Sequence, residues 1–98
     1  MIYAIRVYGH GKREIYKIGY AKNLERRLDQ YFYHYPFVEL ITTREGDTKL
    51  ESLLHRALYS MGGLKFQKNG KLNEWFCGDL SKLLYVFHLS KSKLEKLI

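Results

Sequence analysis

The sequence predicts an α+β chain, close to an α/β sandwich: a small sheet flanked by helices, in the order ββαβαα with one extra hairpin. Three observations carry this reading. Residues 2–8 and 15–20 are short runs rich in β-branched and aromatic side chains, separated by glycines. Leu24, Leu28, Tyr31 and Phe32 recur at i, i+4, i+7 and i+8, and Leu50, Leu53, Leu54, Ala57 and Leu58 repeat a similar helical spacing. Turn signals then punctuate the chain at Gly9-His10-Gly11, Gly62-Gly63 and Asn69-Gly70.

The elements follow in order. Ile2 to Tyr8 alternates through Ile5 and Val7 and reads as a strand. Residues 9–13 turn the chain, and Ile15 to Tyr20 returns as the antiparallel partner. Asn23 is a good N-cap for a helix over 23–35, which Pro36 ends. Phe37 to Thr42 is a third strand, and 44–47 a loop. Asp47 caps a helix from about Thr48 to Ser60, stopped by Gly62-Gly63. Asn69-Gly70 centres a hairpin within 64–76. Asp79 caps a helix with Leu80, Leu83, Leu84 and Phe87 inward, and Ser90 restarts a short one in which Leu94, Leu97 and Ile98 dock.

At 98 residues this is one domain with a modest core. Its apolar fraction of 46% is ordinary, but its net charge of +7 is not. Such a balance favours a polyanionic partner over small metabolites. The charge is uneven: residues 1–35 carry seven Lys/Arg against three acids and residues 63–98 seven against three, while 36–62 carry three against four. The first hairpin with its helix, and the lysines around Asn69, are the anion-facing candidates. Cys77 is the only cysteine, which excludes an intrachain disulfide and a cysteine-based zinc cluster. No apolar run approaches the roughly 20 residues of a membrane span. Residues 1–9 enter a strand directly, without a signal-peptide pattern. A cytoplasmic protein is expected, of a cell or of a virus or phage acting inside one.

The stretch YKIGYAKNLERRLDQYF, residues 16–32, organises the rest. It is a strand end, a glycine turn and an amphipathic helix. Lys17 on the strand and Arg27 on the helix would face one hollow above the glycine. Two fixed cations there suit a phosphate.

IYAI at 2–5, YKIG at 16–19, NLERR at 23–27, LESLLH at 50–55 and NEWF at 73–76 together resemble the GIY-YIG nuclease superfamily, in the branch whose second motif reads Lys-Ile-Gly. The resemblance covers about residues 2–80, leaving the C-terminal helices of 79–98 outside it. It implies a three-stranded antiparallel sheet flanked by helices. It implies hydrolysis of DNA phosphodiester bonds with one divalent metal, Mg²⁺, for which Mn²⁺ can substitute. Tyr3 matches the first-motif tyrosine, Lys17 replaces the second, Arg27 matches the helix arginine and Glu51 the metal-binding glutamate. Tyr31, His34, His55 and Asn73 stand where assisting side chains would. The glycine of the first motif is absent, because Met1 precedes Ile2.

The chemistry needs these residue types. Arginine offers forked donors to non-bridging oxygens. Mg²⁺ prefers one or two carboxylates and keeps most of its waters. Either Tyr3, whose reference pKa is about 10, or a neutral Lys17 would take the proton from water, and the sequence leaves the choice open. Arg13, Lys22, Arg26, Lys65, Lys68 and Lys71 are the expected backbone contacts. DNA is the expected partner, with RNA left open. No appended recognition domain is expected, so specificity is weak, structural or supplied by a partner protein. A homodimer on the substrate would cut both strands where one site nicks. The competing reading is a non-catalytic nucleic-acid-binding module of the same fold.

Overall fold

A computed structural model shows one sheet with helices on both faces. The structure describes the backbone of all residues except 10, 36, 62, 63, 69, 70, 78 and 79, and the side chains of residues 1–7, 15–35, 37–61 and 80–98. The expected turn at His10, the helix stops at Pro36 and Gly62-Gly63, the Asn69-Gly70 turn and the Asp79 cap lie outside the described residues. The elements are β1 (Ile2–Gly9), β2 (Gly11–Tyr20), α1 (Leu24–His34), β3 (Phe37–Arg44), α2 (Thr48–Ser60), β4 (Leu64–Lys68), β5 (Lys71–Cys77), α3 (Leu80–Phe87) and α4 (Lys91–Lys96). The α+β class and the ββαβαα order therefore hold. Among the described residues, no helix is long and apolar enough to cross a membrane.

The antiparallel trio β2-β1-β3 is the expected sheet, and the hairpin extends it to the order β3-β1-β2-β5-β4. The edge of β2 is open to backbone pairing, and β5 takes it from Ile15↔Cys77 to Lys17↔Trp75. Two strand limits move. β2 starts at Gly11, because Gly9 and Gly11 are already paired. β3 runs on to Arg44, because Arg44 pairs with Ile2 and its guanidinium donates to the carbonyls of Phe87 and Leu89 at the end of α3. The β1–β3 register slips by one residue at Ile41, which is packed against the α2-side core.

Alternation along β1 divides the core. Ile2 and Ala4 face α2, α3 and α4, where Tyr16, Ile18, Leu54, Ala57, Leu58, Leu83, Val86, Phe87 and Leu94 close an apolar cluster. Tyr3, Ile5 and Val7 face α1, with Ala21 and Tyr31 and the half-buried Leu24, Leu28, Tyr35 and Val38. Local signals start the helices. Asn23 accepts from Arg26 N at 3.1 Å, Asp47 from Leu50 N at 2.9 Å and Ser90 from Lys93 N at 3.4 Å.

Three core assignments change. Phe32 is 56% exposed, because i+8 stands about 80° from Leu24 around the helix and Tyr35 completes the narrow stripe instead. Val86 joins Leu83 and Phe87 inside, while Leu84 is only half-buried. Ile98, expected to dock, is exposed beyond the end of α4, and Leu94 makes the buried contact there.

Candidate functional site

The site is built around residues 17–19 of β2. Gly19 pairs with Tyr3 across the β1–β2 ladder. A Cβ on Gly19 would land 2.5 Å from Tyr3 Cζ, so the tyrosine ring occupies the space a side chain would take. Tyr3 is 1% exposed, and its hydroxyl bonds to that of Tyr31 at 2.8 Å. The two rings meet edge to face with centroids 6.1 Å apart. Lys17 places Nζ 5.2 Å from the Tyr31 ring centroid, a cation–π contact.

These groups open on a hollow of about 440 Å³ lined by Lys17, Arg27, Gln30, Tyr31, His34 and Tyr35. Helical spacing explains the lining. Arg27, Gln30 or Tyr31, and His34 follow at three- or four-residue intervals and stack along one face of α1. Lys17 and Arg27, expected to face one hollow, do line the same one, with Tyr31 against Lys17 in its lining. Gln30 carries no chemical signal in the sequence beyond its position three residues after Arg27. Arg27 is exposed at this hollow.

Glu51 and His55 come from the other side of the sheet, on the helix that covers Ile18. His55 Nε2 donates to the Ile18 carbonyl at 2.8 Å, one residue past the last pair between β2 and β5. The same nitrogen lies 3.6 Å from Glu51 Oε1. Both side chains are largely buried, at 12% exposure for His55 and 14% for Glu51. The His55 side-chain bond thus ties the Glu51–His55 pair to the segment that carries Lys17 and Gly19. Glu51 is not among the residues lining the α1-side hollow.

A divalent ion can be weighed against this donor set. Among the described residues, no group of three or more His, Cys, Asp or Glu side chains converges as a protein cage. Mg²⁺ needs no such cage, since it keeps several waters and takes one or two carboxylates. The single, held carboxylate of Glu51 fits that requirement.

Lys22 and Arg26 line a second hollow of about 350 Å³ with Tyr20, Ala21, Asn23, Arg27 and Gln30. The side chains of Arg13, Lys65, Lys68, Lys71 and Asn73 lie outside the described set. Their backbones belong to β2, β4 and β5, and Asn73 stands two residues before Trp75, the partner of Lys17.

Residues 1–91 match the T5orf172 domain, a family associated with GIY-YIG and HNH-like endonucleases. Neither a curated protein nor a solved structure matches the chain.

Proposed function

This chain belongs to the T5orf172 domain family, and from that premise we propose that it is a GIY-YIG-type endonuclease that hydrolyses DNA phosphodiester bonds with Mg²⁺. The observation that carries the reading is the single hollow shared by Lys17, Arg27, Tyr31 and His34, underlain by Tyr3 on Gly19. It offers a phosphate cations on two walls and a phenol pair between them.

The geometry supports the following roles. The Arg27 guanidinium binds the non-bridging oxygens and meets the charge that grows there in the transition state. Tyr31 lines the hollow, while Tyr3 lies behind it in hydrogen-bond contact. One of the two, ionised to the phenolate, takes the proton of the attacking water and becomes the neutral phenol. The Lys17 ammonium, 5.2 Å from the Tyr31 ring centroid, stands beside this pair as a fixed cation for the phosphate. His55 holds the side of β2 on which Glu51 stands. Glu51 would hold Mg²⁺, or Mn²⁺ in its place, and the ion would supply charge neutralisation at the leaving oxygen.

One observation favours the second reading, a non-catalytic nucleic-acid-binding module: the carboxylate does not line the hollow that holds Arg27. Supercoiled plasmid incubated in Mg²⁺, Mn²⁺ or EDTA separates the two. The nuclease nicks in either metal, stops in EDTA and is inactive as Glu51→Gln, which still binds DNA. Binding without nicking in both metals establishes the module. Neither binding nor nicking overturns both readings.

A further inference from the structure

We infer that the hollow lined by Lys22 and Arg26 is a second phosphate subsite, holding a backbone phosphate close to the scissile one on the same strand. The inference rests on the proposed nuclease reading for which hollow is catalytic, and on three observations for the subsite itself.

The first is continuity. The two hollows share Arg27 and Gln30 as a common wall. A polyanionic strand that seats one phosphate against Lys17 and Arg27 must cross this wall to continue along α1, and the space beyond it is already concave. The second is charge. Lys22 and Arg26 are exposed on that far side, and Arg27 serves both hollows. Asn23, also in the lining, has its side-chain oxygen engaged by Arg26 N, so its acceptor is turned inward to the helix and away from an anion.

The third is segregation around α1. At about 100° per residue, Arg26, Arg27, Gln30 and His34 fall on one side of the helix. Glu25 and Asp29 fall on the other, toward Phe32. The acids of the helix are thus kept away from both hollows. An evenly solvated surface helix has no reason to sort its charges this way; a helix that runs beside a phosphate chain does. The ligand class is a nucleic-acid backbone of at least two linkages, not an isolated phosphate. Lys22 and Arg26 position the strand and do not touch the reacting atoms.

Two measurements test the subsite. In EDTA, DNA affinity is followed against salt for the wild type, for Lys22→Ala/Arg26→Ala and for Lys91→Ala/Lys93→Ala, which removes the same charge from α4. The expected result is a log–log slope shallower by about 0.9 for each phosphate that is no longer neutralised in the first variant, with the α4 variant unchanged. Equal slopes in the two variants overturn the subsite, whether or not the protein cleaves. In Mg²⁺, oligonucleotides each carrying one neutral methylphosphonate linkage are cleaved, and each cut is read relative to the neutral position. The wild type should lose cleavage when the neutral linkage is at the cut or at one nearby position on one side of it. Lys22→Ala/Arg26→Ala should lose the sensitivity at the nearby position and keep it at the cut. A pattern identical to the wild type overturns the assignment. Absence of cleavage in the wild type counts against the nuclease reading, and the slopes in EDTA then decide the subsite.

Discussion

The two faces of the sheet are built for different purposes. The α2 face buries aliphatic and aromatic side chains from β1, β2, α2, α3 and α4 in one dry cluster. The α1 face is thinner. Its core holds two tyrosines joined through their hydroxyls, with Lys17 over one ring and Arg27 exposed at the rim. Among the described residues, α1 is the helix that covers this face. Stability is concentrated where water is excluded on all sides, and the proposed phosphate site lies where Arg27 remains exposed in front of the buried hydroxyl pair. Residues 17–19 belong to both, because successive side chains on one strand point to opposite faces.

The largest effects separate the faces. Leu54→Ala removes a fully buried side chain from the α2 cluster and should cost about 2–5 kcal/mol of stability. Its cleavage should fall only in proportion to the unfolded fraction. Arg27→Ala should leave the melting temperature unchanged and reduce cleavage by about 10²–10³-fold, as expected for a donor to a developing oxyanion. Thermal melts and nicking rates on the same preparations check both. A destabilised Arg27→Ala, or a stable but inactive Leu54→Ala, would break the comparison.

A smaller, mixed effect is expected at the strand that both faces share. The added methyl of Gly19→Ala meets the ring of Tyr3, which is locked between the sheet and Tyr31. Overpacking of this kind costs about 1–3 kcal/mol, and the displaced ring should disturb the phenol pair as well. The variant should therefore lose both melting temperature and rate per folded molecule. Loss of stability alone would show that the Tyr3 position is not used in cleavage.

The smallest effect belongs to the helix of the α2 face. The Leu50 N–H donates to the Asp47 carboxylate and holds its pKa below the ordinary value in the fold. A depressed carboxyl contributes stability above its unfolded pKa of about 3.9, and this is lost as pH falls through the lower folded value. Asp47→Ala should melt earlier than the wild type near neutral pH, with the difference shrinking as the solution is acidified below about pH 4. A gap independent of pH would mean that the carboxylate charge does not matter to the cap.

Much of this protein is legible in one dimension. Asn23 and Asp47 start helices through bonds three residues away, and helical spacing along α2 marks its buried side, because these interactions are local. The pairing of Lys17 with Arg27 over one hollow is also readable, since only a turn separates strand from helix. Phe32 and Ile98 depart from the pattern because burial at the ends of an amphipathic stripe depends on what the neighbouring element covers. Gln30 has no chemical signal of its own. Three features need the assembled sheet. The hairpin of β4 and β5 joins β2 through backbone groups, which every sequence carries alike. Tyr3 rests on Gly19 and bonds to Tyr31 across 28 residues of chain. His55, with Glu51 beside it, reaches the Ile18 carbonyl from the opposite face of the sheet from α1. Residue types and local spacing determined the helices and the cationic hollow. Long-range strand register decided which hydroxyl lies behind it and from which side the carboxylate approaches, because that register is set by the packing of both faces together.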